Sequence, residues 1–291
     1  MGAPPRQAAG KISALVSDVD GTLVTDDKTL TERSRRAVAT LRERGVKFAI
    51  VSSRPPRGLS ELIKALEITT PLAGFNGGVL ATPQLTVIEQ HLLPADLAGQ
   101  AVEALASQGV GVWVFSGQDW LVRDAADSYV SLEMKTVGFE PVVVDNFGAA
   151  LGSAAKIVGV SGDFGLLARC EADLNARFSG QANIVRSQPY YLDITHSLAN
   201  KGAALRAIAA LIATPLDEIA AIGDGGNDIA LFAASGFSIA MGNAGAAVRG
   251  AADRVTASNS DEGFAKAVEH FIVGEDGGEA ARNRRLSAAR A

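Results

Sequence analysis

Four short stretches of the chain put carboxylates, hydroxyls and an amine where chemistry could use them. Asp18-Val19-Asp20-Gly21-Thr22 follows a short apolar run, Ile12 to Ser17. In an extended segment, side chains two apart share a face, so both carboxylates can approach one atom. Like charges at a buried strand end repel and lose hydration, and a divalent cation is the simplest compensation. Val51-Ser52-Ser53-Arg54 ends a second apolar run and offers hydroxyls and backbone N–H groups to an anion. Lys201, in Asn200-Lys201-Gly202, opens a helix-like stretch. An amine there runs against the preference for acids in a first helical turn, which marks it out. Gly223-Asp224-Gly225-Gly226-Asn227-Asp228 brings two more carboxylates and a carboxamide after the run Glu218 to Ile222. Such hard oxygen donors suit Mg2+ better than zinc. Together these stretches describe an amine and a hard cation neutralising a phosphoryl group while a carboxylate attacks it.

The elements that must position these residues follow from the pattern around them. Helices are expected over Thr31 to Arg44, near Leu59 to Leu66, from Asn200 to Ala213, near Asp228 to Ala234 and from Glu262 to Ile272. Thr31 suits an N-cap and Gly45 the position just past a helix end. Between the helices lie short apolar runs: Val46 to Val51, Pro71 to Phe75, Glu218 to Ile222 and Phe237 to Ala240. Buried runs alternating with amphipathic helices indicate βαβ units and a parallel sheet, and ligands of such sheets bind at the carboxyl ends of the strands. The middle differs. A strand is expected over Leu85 to Leu93, a helix near Asp96 to Gln108, and paired strands Val110 to Phe115 and Trp120 to Arg123. Further strands are expected over Lys156 to Ser161, Ala182 to Arg186 and Tyr190 to Ile194, with a helix from Phe164 to Phe178. The expected fold is α/β: a Rossmann-like, doubly wound, parallel-sheet core over 11–81 and 190–273, interrupted by an α+β insertion over 82–189, with flexible tails at 1–10 and 274–291.

Composition limits the function. The 291 residues are 47% hydrophobic and 20% charged, which supports a packed core. With Lys+Arg 27 and Asp+Glu 32 the net charge is −5, unsuited to wrapping nucleic acid. No run approaches the ~18 apolar residues of a membrane span, and Met1 to Gly10 has no apolar stretch behind Arg6, so a cytoplasmic protein is expected. The single cysteine, Cys170, excludes an internal disulfide or a cysteine-held metal and fits a reducing compartment. Phosphate-loop, dinucleotide-fingerprint and zinc-protease motifs are lacking, and Gly236-Phe237-Ser238-Ile239-Ala240 misses the final glycine of a serine-nucleophile elbow.

The ordered set of motifs resembles the haloacid dehalogenase-like phosphohydrolases, specifically the Cof-like branch, subclass IIB. Asp18 to Thr22 matches D-x-D-G-T, Ser52 the strand-end hydroxyl with Arg54 after it, and Asn76-Gly77-Gly78 the N-G-x element. Lys201 matches the third-motif lysine, Gly223 to Asp228 the G-D-x-x-N-D stretch, and Met241 to Ala244 a later M-G-N-A. Ser52 replaces the commoner threonine, and Ser53 stands where glycine is common. The resemblance implies a cap of C2 type in the insertion. It implies Asp18 as nucleophile forming an aspartyl-phosphate, and Asp20 as the acid that protonates the leaving oxygen and then activates water. Mg2+ would be held by Asp18, Asp20 through its backbone carbonyl, and Asp224, with Asp228 orienting ligands or water. Ser52, Lys201, Asn227 and Gly21 would bind the phosphoryl group. Arg54, Asn76, Arg123, Trp113, Trp120 and Tyr190 are candidates for touching the rest of the substrate. The expected activity is Mg2+-dependent hydrolysis of a small phosphorylated metabolite, most simply a sugar phosphate. The alternatives are a hexose phosphomutase and an inactive regulator that binds phosphometabolites.

Overall fold

The computed structural model describes residues 11–127 and 129–274. The tails expected at 1–10 and beyond Gly274 lie outside the described residues. The chain begins with β1 (Ala14–Ser17), α1 (Glu32–Glu43), β2 (Lys47–Ile50), α2 (Ser60–Leu66) and β3 (Leu72–Gly74). An antiparallel meander continues through β4 (Val79–Ala81) and β5 (Val87–Gln90). The insertion holds α3 (Ala95–Ser107), β6 (Gly111–Ser116), β7 (Asp119–Val122), α4 (Val130–Val137) and β8 (Val142–Val143). It ends with β9 (Ala154–Val160), α5 (Phe164–Arg177), β10 (Ala182–Gln188) and β11 (Tyr191–His196). The return runs α6 (Lys201–Leu211), β12 (Ile219–Gly223), α7 (Asp228–Ala234), β13 (Phe237–Ala240), α8 (Ala246–Ala251), β14 (Arg254–Val255) and α9 (Gly263–Ala267).

The core sheet has the order β14-β13-β12-β1-β2, with every pairing parallel. A bridge between Val51 and Ala73 lays β3 beside the end of β2. Counted as core strands, this is the doubly wound order 3-2-1-4-5-6, whose ligand crevice opens where the order reverses. The reversal here lies between β1 and β12, with Ser17 opposite Ile222. Both faces of the sheet are covered, so β1 is buried at all four positions and reads as an apolar run rather than an alternation. Leu15, Ile50, Ile222 and Ile239 pack on one face, and Val16, Ala49, Ala221, Leu205 and Ile208 on the other. Among the described residues no helix is long and apolar enough to cross a membrane.

Local signals set the helix ends. The Thr31 hydroxyl accepts the Ser34 N–H at 3.1 Å and opens α1. Gly45, φ +73°, closes it in the left-handed region that glycine enters freely. The helix expected over Glu262 to Ile272 instead splits into α9 and a wide π turn at Val268–Ile272.

The insertion forms a second sheet of order β10-β11-β9-β6-β7-β8. Helices α3 and α5 cover one face. The other face is aromatic, carrying Trp113, Phe115, Trp120 and Tyr191, and it packs with Phe75 and Val79 of the core side. The strands bring two departures from the expected boundaries. Strand β5, expected inside the insertion, pairs with β4, and β11, expected to begin the returning core, sits between β10 and β9. We therefore propose domain boundaries near residues 93 and 197 rather than 82 and 190. Hydrophobic alternation shows that a strand exists, not which sheet completes it.

Candidate active site

The strand ends deliver the acids to one point. The Asp18 N–H donates to the Ile222 carbonyl at 2.9 Å, which fastens the end of β1 to β12. Helix α6 starts beside them, capped by Asn200, whose Oδ1 accepts the Ala203 N–H at 2.8 Å. Its first residue, Lys201, is 1% exposed. The Lys201 ammonium donates to Asp18 Oδ1 at 2.6 Å and to Asp228 Oδ1 at 2.7 Å. Asp228 opens α7 and is fully buried; its Oδ2 accepts the N–H groups of Asp224 (3.0 Å) and Gly225 (2.8 Å), which closes the glycine-rich loop on itself. The Thr22 hydroxyl donates to Asp224 Oδ1 at 2.9 Å. Asn243 donates to the Gly21 carbonyl (2.9 Å) and to Asp224 Oδ2 (3.3 Å), so the two acidic loops are stitched together twice.

Carboxylate oxygens of Asp18, Asp224 and Asp228 lie within 4.8 Å of one another. Burial pushes the Asp18 carboxyl well above the usual range; Lys201 opposes this, and the charges of Asp228 and Asp224 add to it. Burial, reinforced by Asp228, also raises Asp224 against the pull of its bond from Thr22. Burial would lower Lys201, but Asp18 and Asp228 outweigh it and hold the ammonium charged. Three acids against one amine leave an excess of negative charge among oxygen donors. That donor set fits a hard divalent cation. Asp228 is fully buried, with one oxygen held by Lys201 and the other by two backbone N–H groups, which suits it to orienting the others, while Asp18 and Asp224 are the less enclosed of the three. The Asp20 side chain stands apart from this trio. Arg54 clasps it in a bidentate pair (2.8 and 2.7 Å), and Lys28 reaches it at 2.8 Å. Burial favours its neutral form, yet Arg54 and Lys28 prevail and hold its pKa at about 2.

The model of the haloacid dehalogenase-like hydrolases matches residues 15–268. The chain belongs to that family. It is 28% identical over 257 residues to a "putative phosphatase" of Haemophilus influenzae, covering 88% of this chain and 97% of that protein. It is also 28% identical over 263 residues to a 5-amino-6-(5-phospho-D-ribitylamino)uracil phosphatase of Bacillus subtilis, covering 88% and 96%. A crystal structure of a haloacid dehalogenase-like hydrolase from Bacteroides thetaiotaomicron superposes with a TM-score of 0.82 at 28% identity, covering 89% of this chain and 98% of that one.

In this haloacid dehalogenase-like hydrolase the remaining candidate residues divide. Ser52 is fully buried, its hydroxyl accepting the Arg54 N–H at 3.1 Å. Asn76, in the left-handed region at φ 57°, accepts from Asn227 Nδ2 at 2.9 Å, which links the N-G-x element to the fourth motif. Gly21 has φ +78° and faces Asp224 so closely that a Cβ would lie 2.3 Å from its Oδ2. Two of the proposed substrate contacts, Trp113 and Trp120, stand differently from expectation. Arg54 is committed to Asp20. Trp113 and Trp120 pack edge-to-face in the cap interior, centroids 5.1 Å apart, at 1% and 0% exposure. Their rings fill the space under the sheet and offer no face to a ligand. Tyr190 stacks on Tyr129 at 4.4 Å. Arg123 is exposed beyond β7. Three residues that contact these acids lacked an assigned role in the sequence: Lys28, Thr22 and Asn243. Asn243 lay inside a recognised motif and Thr22 beside the first acids, so both carried a signal. Lys28 carried none, because a turn with φ 68° aims it back at Asp20.

Proposed function

We propose that the chain is a Mg2+-dependent phosphatase of small phosphorylated metabolites, sugar phosphates being the simplest class, working through an aspartyl-phosphate on Asp18. The observation that carries this reading is the buried Lys201 bridging Asp18 and Asp228 beside Asp224. An amine locked to one carboxylate oxygen fixes the carboxylate's direction and supplies positive charge where a phosphoryl group would sit. Asp18 and Asp224, with the Asp20 backbone carbonyl, would hold Mg2+, whose charge when bound offsets that of the acids and of the phosphoryl oxygens. Asp18 attacks phosphorus, and the ester P–O bond breaks toward the leaving oxygen. Asp20 gives that oxygen a proton, then takes one from the water that attacks the phosphoryl-Asp18 bond. Arg54 and Lys28 keep Asp20 ionised in the state described here, the form the second step uses. Donation in the first step requires the incoming dianion to compete for those two cations. Ser52, Asn227 and the Gly21 backbone line the phosphoryl side. Acid–base work contributes about 10²–10⁴-fold, so positioning and charge neutralisation carry most of the acceleration.

The test is release of inorganic phosphate from p-nitrophenyl phosphate and a panel of sugar phosphates, with Mg2+ and with chelator. Mg2+-dependent release, abolished in a folded Asp18→Asn variant, is expected. A fully active Asp18→Asn protein, or full activity in chelator, contradicts the scheme.

A further inference from the structure

Core and cap meet at a contact that the hydrolytic scheme does not use. A short 3-10 turn, Pro56–Leu59, begins two residues after Arg54. Its Arg57 side chain reaches across to the cap. The guanidinium donates to the Gln118 carbonyl, in the turn between β6 and β7, at 3.2 Å. It also lies 4.3 Å from the centre of the Phe139 ring, just past the end of α4. Phe139 in turn meets Trp120 of the cap interior edge-to-face, centroids 6.4 Å apart. Next to Arg57, Gly58 faces Val137, the last residue of α4. A Cβ on Gly58 would lie 3.2 Å from the Val137 Cβ and 3.2 Å from the Val137 carbonyl oxygen.

The core side of this contact is tightly held. Pro55 has its φ fixed by its ring, at −61°. The Arg54 N–H donates to the Ser52 hydroxyl, and the Arg54 carbonyl accepts the Phe75 N–H at 2.9 Å. The Gly58 N–H donates to the Pro55 carbonyl at 2.9 Å. Gly74 of β3 backs onto the same turn, so closely that a Cβ would lie 2.5 Å from Pro56 Cδ and 2.8 Å from the Arg54 carbonyl oxygen. The turn therefore cannot shift without disturbing Arg54, whose guanidinium clasps Asp20. The cap side is tethered differently, through two linkers. A body tethered that way pivots about its linkers unless a further contact holds it. Gln118, Val137 and Phe139 supply such a contact, away from either linker.

We propose that the turn Pro56–Leu59 is the seat on which the cap closes, and that Arg57 is the positioning residue that latches α4 and the β6–β7 turn to it. The consequence for turnover rests on the phosphatase reading above. The latch is weak enough to release. A cation over a ring and one hydrogen bond, both at an exposed side chain, bias a two-state equilibrium by about 10-fold. Such a bias keeps the cap seated on average and still lets it lift for entry and exit. Gly58 has the complementary part, since it leaves α4 room to come down and any side chain there acts as a wedge. Gly58 lies outside the left-handed region, so a substitution strains no backbone. A side chain at this position also restricts the unfolded chain, which favours the fold.

The test has two arms, both on the full chain. Hydrogen exchange read by mass spectrometry, without substrate or metal, compares the wild type with Arg57→Ala and Gly58→Leu. In both variants the amides of α4 and of the β6–β7 turn are expected to exchange at least about 5-fold faster, while those of β9 in the cap sheet stay within about 2-fold. Acceleration of β9 as well would show a general loosening of the cap, and an unchanged α4 would show no latch; either overturns the inference. The second arm measures melting temperature and KM for p-nitrophenyl phosphate with Mg2+. Gly58→Leu is expected to melt no lower than the wild type, yet to raise KM by at least about 5-fold because the seated state is less populated. A smaller rise overturns the inference. If the wild type releases phosphate from no ester, the phosphatase reading falls, and the exchange arm still decides whether this turn holds the cap.

Discussion

Gly21→Ala tests how the two acidic loops meet. Two costs arise from this change, and the structure separates them. Gly21 has φ +78°, where an L-residue is strained by about 1–2 kcal/mol. In addition the new Cβ would lie 2.3 Å from Asp224 Oδ2 and 2.7 Å from its Cγ. Ordinary contact begins near 3.4 Å, so the Asp224 carboxylate must retreat by about 1 Å. It would then leave its bonds from Thr22 and Asn243 and its place beside Asp18. A displacement of that size in a reacting constellation costs about 10²-fold in rate. Gly45 provides the control, because it has φ +73° with nothing within 4 Å of the would-be Cβ. Gly45→Ala should lose about 1–2 kcal/mol in urea denaturation and keep its kcat/KM for p-nitrophenyl phosphate. Gly21→Ala should lose at least as much stability, about 10²-fold in kcat/KM, and require more Mg2+ for half-maximal rate. If Gly21→Ala retains kcat/KM within 3-fold and an unaltered Mg2+ dependence, then Asp224 is not held where the catalytic account needs it.

Other perturbations follow from the same geometry. Lys201→Met strands two buried carboxylates and should cost about 3–5 kcal/mol in metal-free denaturation; Mg2+ should restore part of that loss, and the absence of any metal effect would contradict the shared site. Asn243→Ala removes the tie between Gly21 and Asp224, so the Mg2+ concentration for half-maximal activity should rise about 10-fold or more; an unmoved Mg2+ curve would show the tie to be idle. Burial and neighbouring acids raise the folded-state pKa of Glu133. The folded chain then binds that proton more tightly than the unfolded chain, so stability falls as pH rises from about 4.5 through the folded value. Glu133→Gln should therefore flatten the fall of melting temperature with pH above that point and matter little below it. Parallel curves for wild type and variant would refute the assignment.

The catalytic half of the molecule was legible because its information is local. Strand, acid pair, glycine and hydroxyl sit within a few residues of each other at Asp18 to Thr22, and strand, acid pair, glycines and carboxamide do so at Gly223 to Asp228. A buried parallel strand advertises itself as a continuous apolar run, and the caps of α1 and α6 carry their own side-chain signals, Thr31 and Asn200. The cap was less legible because its meaning is relational. Helix α4 begins at Tyr129 in a left-handed conformation with no side-chain cap, so nothing in the sequence marks its start. It nevertheless supplies Glu133. Lys156 and Asp193 lie 37 residues apart in neighbouring strands, and only the register of β9 against β11 reveals that they pair. The tryptophans misled for a related reason. An aromatic residue in a strand serves equally well as a binding surface or as core, and which it becomes depends on what covers that face.

The central claim is that Asp18 carries the phosphoryl group between substrate and water. It is tested most directly by mixing enzyme, Mg2+ and p-nitrophenyl phosphate, quenching in acid within the first turnover, and mapping the phosphorylated peptide by mass spectrometry. The account predicts one phosphoryl group on the Asp18 carboxylate, absent in Asp18→Asn and longer-lived in Asp20→Asn. Rapid turnover with no phosphorylated peptide, or with the group on another side chain, would contradict it.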